Sequence, residues 1–203
     1  MTIWIEKGGQ QAKASFNELE KWTKAAYLSH LEFESCSVLK QIQRLSQKAS
    51  MYKEWAPEQL WLGKYFEKEI LKAQLPDIFL RWIDDGIGWG VFSQRDFKEM
   101  EFITSYSGVV RKYTKRDVMN SYCFEFHLLP QEGTPFTIDA REKGGIGRYL
   151  NHSQSPNLTN VLATIDGMTH VIFYTRQPIA KGTQLTFDYG SQYWKKRPPP
   201  RNF

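Results

Sequence analysis

The chain has 203 residues, 41% of them hydrophobic and 15% aromatic, which suffices for one domain with a buried core and excludes a fully disordered chain. No apolar run approaches the roughly 20 residues of a spanning helix, and the start M-T-I-W-I-E-K-G-G meets charge and glycine too early for a secretory signal, so a soluble cytoplasmic protein without membrane contact is expected. The net charge of +5 is concentrated at the end: residues 195–203, K-K-R-P-P-P-R-N-F, carry four basic groups and no acid, and removing them leaves +1 for the body.

Residues 15–75 read as helical. Ser15 and Glu18 form a capping box, and Phe16, Leu19, Trp22, Tyr27, Leu28 and Leu31 follow at helical spacing. Val38, Leu39, Ile42 and Leu45 repeat that pattern. Pro57 opens a third segment through Leu60, Trp61, Tyr65, Phe66, Ile70 and Leu71, and Pro76 ends it. The expectation is a helical N-terminal region over 1–76, whose stripes either pack on the remainder of the chain or form a surface for homodimerisation or a partner.

After Pro76 the texture changes to short β-branched and aromatic runs at 78–83, 89–93, 101–110, 122–128, 136–140, 158–164 and 170–175. Breakers such as Asp85-Gly86, Gly144-Gly145, Asp166-Gly167 and Lys181-Gly182 separate them. No long helices alternate with these strands, which disfavours a doubly wound parallel sheet and predicts an α+β protein of several small sheets.

Four segments carry chemistry: Gly88-Trp89-Gly90-Val91-Phe92, Tyr106-Ser107-Gly108, the run R-Y-L-N-H-S-Q-S-P-N from Arg148 to Asn157, and Leu185-Thr186-Phe187-Asp188-Tyr189-Gly190. In this order they resemble the signature segments of the SET-domain protein-lysine methyltransferase family. The resemblance covers roughly the last 120 residues. It implies a SET domain over 77–190 with a pseudoknot-like crossing of the third and fourth segments, followed by a short post-SET aromatic and basic tail over 191–203. It also implies S-adenosyl-L-methionine as cofactor and a narrow channel for lysine.

By that resemblance Gly88, Trp89 and Gly90 line the cofactor pocket, where glycine permits close backbone approach and an aromatic ring attracts a sulfonium. Arg148, Asn151, His152, Tyr122 and Tyr189 match further cofactor-side positions, and His152 takes no acid–base role. Tyr189 matches the catalytic tyrosine, Tyr106 a tyrosine facing the target nitrogen, and Phe187 the product-specificity position. Tyr193 and Trp194 either close over the cofactor or pack on the core.

Methyl transfer to an amine needs a neutral lysine, which costs about 4.6 kcal/mol at pH 7. A cationic donor facing an apolar channel depresses the lysine pKa, and tyrosine hydroxyls aim the lone pair, so no strong general base is required. Phenylalanine at 187 leaves room for di- or trimethylation.

Three departures from the family pattern carry information. Gln154 stands where many eukaryotic members have cysteine, and no cysteine triplet follows the fourth segment. The chain has only Cys36 and Cys123, so no zinc or other metal site is expected. The short insertion after Val110 holds a basic cluster, Arg111-Lys112-Tyr113-Thr114-Lys115-Arg116. The compact zinc-free format is similar to the stand-alone SET proteins of intracellular bacteria, which brings in export to a host cell and its nucleus as a second location.

The expected substrate is a histone or histone-like basic protein, with nucleic-acid contact through 111–116 and 195–201 as a further candidate. A non-catalytic SET module that binds cofactor or peptide is the alternative. A nucleic-acid-binding protein is a third reading.

Overall fold

A computed structural model describes residues 2–126, 135–195 and 197–198. The chain opens with a hairpin, β1 (Thr2–Lys7) and β2 (Gln10–Ser15), turning through Gly8 and Gly9. Both glycines have positive φ, +58° and +77°, the conformation a two-residue hairpin turn demands. Helix α1 (Phe16–Thr23) comes next, capped reciprocally by Ser15 and Glu18, and it stops where Lys24 enters the left-handed region.

Two short strands, β3 (Ala26–Tyr27) and β4 (Glu32–Phe33), precede α2 (Cys36–Met51), α3 (Pro57–Tyr65) and α4 (Glu67–Lys72). The strand-rich part comprises β5 (Ile78–Asp84), β6 (Gly88–Ser93), β7 (Phe102–Ser105) and β8 (Gly108–Lys112). A 3-10 turn (Lys115–Met119), β9 (Cys123–Glu125), β10 (Phe136–Gly144) and a second 3-10 turn (Ile146–Tyr149) come next. Then come β11 (Asn151–His152), β12 (Leu158–Ile165), β13 (Met168–Thr175), β14 (Thr186–Phe187) and the short α5 (Ser191–Trp194).

Among the described residues four small sheets form, as the α+β expectation has it. The first runs β2-β1-β5-β6, with β1 parallel to β5. The second runs β3-β10-β8-β4, with β9 also on β10. The third is β12-β13-β7, and β11 pairs in parallel with β14.

The first 76 residues therefore differ from a purely helical region. The hairpin extends the sheet that carries Gly88–Ser93, and β3 and β4 are edge strands on β10 and β8. The spacing of Phe16 and Tyr27 fits three helical turns, yet here the chain folds back and stacks the two rings 3.7 Å apart. Periodicity alone cannot separate these outcomes, because the ladder partners of these residues lie far along the chain.

The helical stripes are buried only in part: Leu19, Val38, Ile42, Phe66 and Ile70 pack inward, whereas Trp22, Leu45, Leu60 and Leu71 stay exposed. Leu62, Phe66 and Ile70 bury against Phe102, Ala163, Ile165 and Ile172 of the third sheet, at about 2 kcal/mol for each large side chain. Gly63 lets the α3 backbone reach the Thr164 carbonyl, where a Cβ would overlap it. Trp61 and Tyr65, stacked at 5.0 Å, stay on the exposed face of α3.

Candidate active site

The third and fourth segments meet side by side. Asn151 and His152 register against Thr186 and Phe187 in parallel, and the Ser153 N–H donates to the Phe187 carbonyl at 3.1 Å. Asn157 locks the crossing with its buried amide. Its Nδ2 donates to the Gln184 carbonyl at 2.8 Å, and its Oδ1 accepts from the Thr186 N–H at 2.9 Å. Asn157 belongs to the third segment, yet the sequence alone gives it no role; an amide next to Pro156 is the only signal there.

Strand β6 lies against this crossing. The Asn151 amide donates to the Trp89 carbonyl at 3.2 Å. A Cβ on Gly90 would sit 2.8 Å from Ile83 Cδ1, 2.9 Å from Gln184 Nε2 and 3.1 Å from Asn151 Nδ2, so a side chain there would push these groups aside. Gly88 holds φ +82°. The Trp89 ring is buried edge-on to Trp82 at 5.5 Å and Trp22 at 6.5 Å. Trp89 thus offers its carbonyl to the crossing, while its ring belongs to the core.

The crossing sets Tyr189. Its N–H donates to His152 Nδ1 at 3.2 Å and its hydroxyl to the Leu150 carbonyl at 2.8 Å. His152 Nδ1 is therefore an acceptor, which assigns the ring proton to Nε2 in the neutral imidazole. The Asp188 carboxylate lies 3.5 Å from the same nitrogen and is mostly exposed. With Nδ1 already accepting, that approach is no ion pair. The Tyr106 hydroxyl, in a fully enclosed site, donates to the Tyr122 carbonyl at 2.9 Å. Burial pushes both phenols well above their usual pKa, so both are neutral donors at physiological pH, with oxygen lone pairs left to accept.

Between these hydroxyls runs an aromatic wall. Ring centroids are 5.0 Å apart for Tyr106–Phe124, 6.4 Å for Phe124–Phe173, 4.8 Å for Phe173–Phe187 and 4.8 Å for Phe187–Tyr189. The sequence alone gives Phe124 and Phe173 no role. Phe124 shares the period-2 alternation of Tyr122 and Phe126, whereas Phe173 gives no signal beyond an apolar strand.

Arg148 lies on the Tyr106 side. Its Nε donates to the Ala140 carbonyl at 2.7 Å, Nη2 to the Arg141 carbonyl at 3.0 Å and Nη1 to the Tyr149 hydroxyl at 2.8 Å. Its guanidinium covers the Tyr122 ring at 4.2 Å. These contacts tie Arg148 to β10 and to Tyr122.

Gly190, at φ +81°, turns the chain into α5. Trp194 stacks on Tyr189 at 6.1 Å with 10° between planes and lies 4.9 Å from His152, and Tyr193 meets Tyr189 edge-on at 4.7 Å. Arg197 pins the segment, donating to the Tyr193 carbonyl at 2.8 Å and covering its ring at 4.0 Å. Trp194 Nε1–H is buried without a hydrogen-bond partner among the described residues. An unmatched indole donor beside a neutral imidazole and the Gly90 cradle suits a ligand with a flat ring and hydrogen-bond acceptors.

The basic insertion is partly self-neutralised. Arg111 grips Asp117 at 2.5 and 2.9 Å and Asp139 at 2.7 Å. That guanidinium, opposed by burial, holds the Asp117 carboxyl far below its usual range. Asp117, Asp139 and Cys123 converge, with Arg111 bonded to all three. Of the four cations, Lys112, Lys115 and Arg116 remain exposed. Of residues 195–203 only Lys195, Arg197 and Pro198 are described; Lys196 and 199–203, like 127–128 of the run at 122–128, lie outside the described residues.

Residues 88–190 match the SET domain family model, and the chain belongs to the SET-domain family. It is similar to histone-lysine N-methyltransferase EHMT1 of Homo sapiens, 34% identical over 112 residues, which is 53% of this chain and 9% of that protein. It is also similar to histone-lysine N-methyltransferase Su(var)3-9 of Drosophila melanogaster, 31% identical over 117 residues, 52% of this chain and 18% of that one. The chain thus spans under a fifth of the length of these two relatives. A solved structure of KRYPTONITE with mCHH DNA, an H3(1-15) peptide and SAH aligns at 29% identity with a TM-score of 0.49, over 58% of this chain and 24% of that one. S-adenosylmethionine is the methyl donor of SET methyltransferases.

Proposed function

We propose that the chain is an S-adenosylmethionine-dependent protein-lysine N-methyltransferase. The observation that carries this reading is the aromatic wall between two neutral phenols, Tyr106 and Tyr189, next to the cradle at Gly90, Asn151 and His152. Gly88, Gly90, the Trp89 carbonyl, Asn151, His152 and Trp194 would hold the cofactor, which supplies an electrophilic methyl on a sulfonium.

The wall desolvates an incoming lysine and disfavours its ammonium form, so the amine enters neutral. The hydroxyls of Tyr106 and Tyr189, fixed by the carbonyls of Tyr122 and Leu150, accept the amine hydrogens and aim its lone pair. Arg148 acts through Tyr122 by holding its ring. Phe187 presents no hydroxyl to pin a water or the amine, so a methylated lysine can re-enter. The names of the relatives make histones and histone-like basic proteins the first substrates to assay.

The test is incubation of the full chain with labelled S-adenosylmethionine and core histones, basic bacterial proteins and the chain itself. Transfer to lysine is expected, and Tyr189→Phe should lower it by at least about a hundredfold with cofactor affinity retained. Cofactor binding without transfer to any protein would overturn the reading in favour of a non-catalytic module. Phe187→Tyr should shift the product toward monomethyl-lysine by mass spectrometry; an unchanged product distribution would remove Phe187 from that role.

A further inference from the structure

The exposed charge around the aromatic wall is mostly positive. The 3-10 turn Lys115–Met119 leads through Asn120 straight to Tyr122 and Phe124, the residues that receive the Tyr106 hydroxyl and form the wall. That turn is held from several directions. The Thr114 N–H and hydroxyl donate to Asp117 at 2.6 and 2.9 Å. Asn120 Nδ2 donates to Asp139 at 3.0 Å, and its Oδ1 accepts from the Tyr122 N–H at 3.0 Å.

Arg111 neutralises the two carboxylates inside this scaffold. Lys112, Lys115 and Arg116 are therefore left facing solvent, and none makes an ion pair among the described residues. Across the channel, beyond Tyr193, Lys195 and Arg197 add two more cations. Exposed carboxylates at Glu125, Glu142 and Asp188 offset this only in part.

We infer that this surround selects a target lysine lying in an acidic stretch and rejects one embedded in a run of lysine and arginine. The inference rests on the lysine-transfer reading and concerns the residues on either side of the target, within whatever protein carries it. A peptide with acidic flanks meets exposed cations carried on a backbone turn that is already held, and the attraction favours its approach. A basic flank is repelled by the same groups, and discrimination comes from the repulsion as much as from the attraction. A nucleic-acid partner would meet the same cations through its phosphates, and the test below separates it from an acidic peptide.

Three peptides of equal length with one central lysine, flanked by Glu and Asp, by Ser and Ala, or by Lys and Arg, test it with the full chain. At about 50 mM salt, kcat/KM should be about tenfold higher for the acidic peptide than the basic one, with the neutral peptide between. Near 1 M salt, where the screening length falls to about 3 Å, that ratio should collapse. The double substitution Lys115→Glu with Arg116→Glu should invert the ranking, with melting temperature and cofactor affinity as fold controls.

Equal rates, or preference for the basic peptide in the wild type, would overturn the inference without needing any variant. Flat peptide ranking together with loss of duplex DNA binding in the double variant would overturn it in favour of phosphate contact. Absence of transfer to all three peptides and to the protein panel, with cofactor bound, would instead remove the methyltransferase reading beneath it.

Discussion

Single residues in this molecule act mostly by occupying a place that no other residue type could fill. Gly90 is one case. A Cβ there would press on Asn151 and Gln184, so Gly90→Ala should cut S-adenosylmethionine affinity at least about tenfold by calorimetry and leave the circular dichroism unchanged. Asp117 is a second. It is buried with Arg111, and Asp117→Asn removes one partner of a buried ion pair at a cost of about 3 kcal/mol in chemical unfolding. The sign with pH comes from its depressed carboxyl. The unfolded chain binds the proton near pH 4 while the folded one does not, so this stability is complete above about pH 4 and drains away below it. The wild-type melting temperature should fall steeply under pH 4, and the asparagine variant should lack that part of the fall.

At the scale of elements, the legible and the hidden separate by how far each strand must look for its partner. The cap of Ser15 and Glu18 is readable because its partners are three residues apart. The strand run at 101–110 is readable too, though it breaks at Tyr106 and Ser107 into β7 and β8. Strands β3 and β4 are not, since Ala26–Tyr27 finds Lys143–Gly144 and Glu32–Phe33 finds Val109–Val110, whereas the β1–β2 hairpin carries a local signal in Gly8-Gly9 that the helical reading passes over. In the site, Tyr106, Tyr189 and Phe187 are reachable through their motifs, whereas Phe173 becomes a wall residue only once the third sheet abuts the crossing. The α3 contact has its own consequence: Gly63→Ala forces the helix off the Thr164 carbonyl and should lower stability by about 2–3 kcal/mol, as overpacking does. Because Leu62, Phe66 and Ile70 pack on the sheet that bears Phe173, catalytic rate should fall along with stability.

For the whole molecule, acid sensitivity has a second source on β13. His170, enclosed on β13 with His30 nearby, has its pKa pushed down to about 4, first by burial and then by that neighbour. The unfolded histidine binds its proton near pH 6.5, so unfolding takes up a proton between about pH 6.5 and 4 and stability declines across that window. His170→Phe should flatten the decline in melting temperature from pH 6.5 to 4 and leave the steeper fall below pH 4, to which Asp117, Asp139 and Glu101 all contribute.

The parallel pairing of Asn151–His152 with Thr186–Phe187 also fixes when the site can exist. Its two halves are separated by about thirty-five residues that form a hairpin of their own, β12 and β13. A pairing of that span closes late, because loop entropy is lost before the contact returns anything. During synthesis the crossing is therefore absent until Thr186–Phe187 has emerged, and in refolding it should be the final structure to appear. A cofactor that recognises only the closed crossing becomes a reporter of that last step, and fluorescence of Trp194 should recover with the slowest refolding phase, after the helical signal.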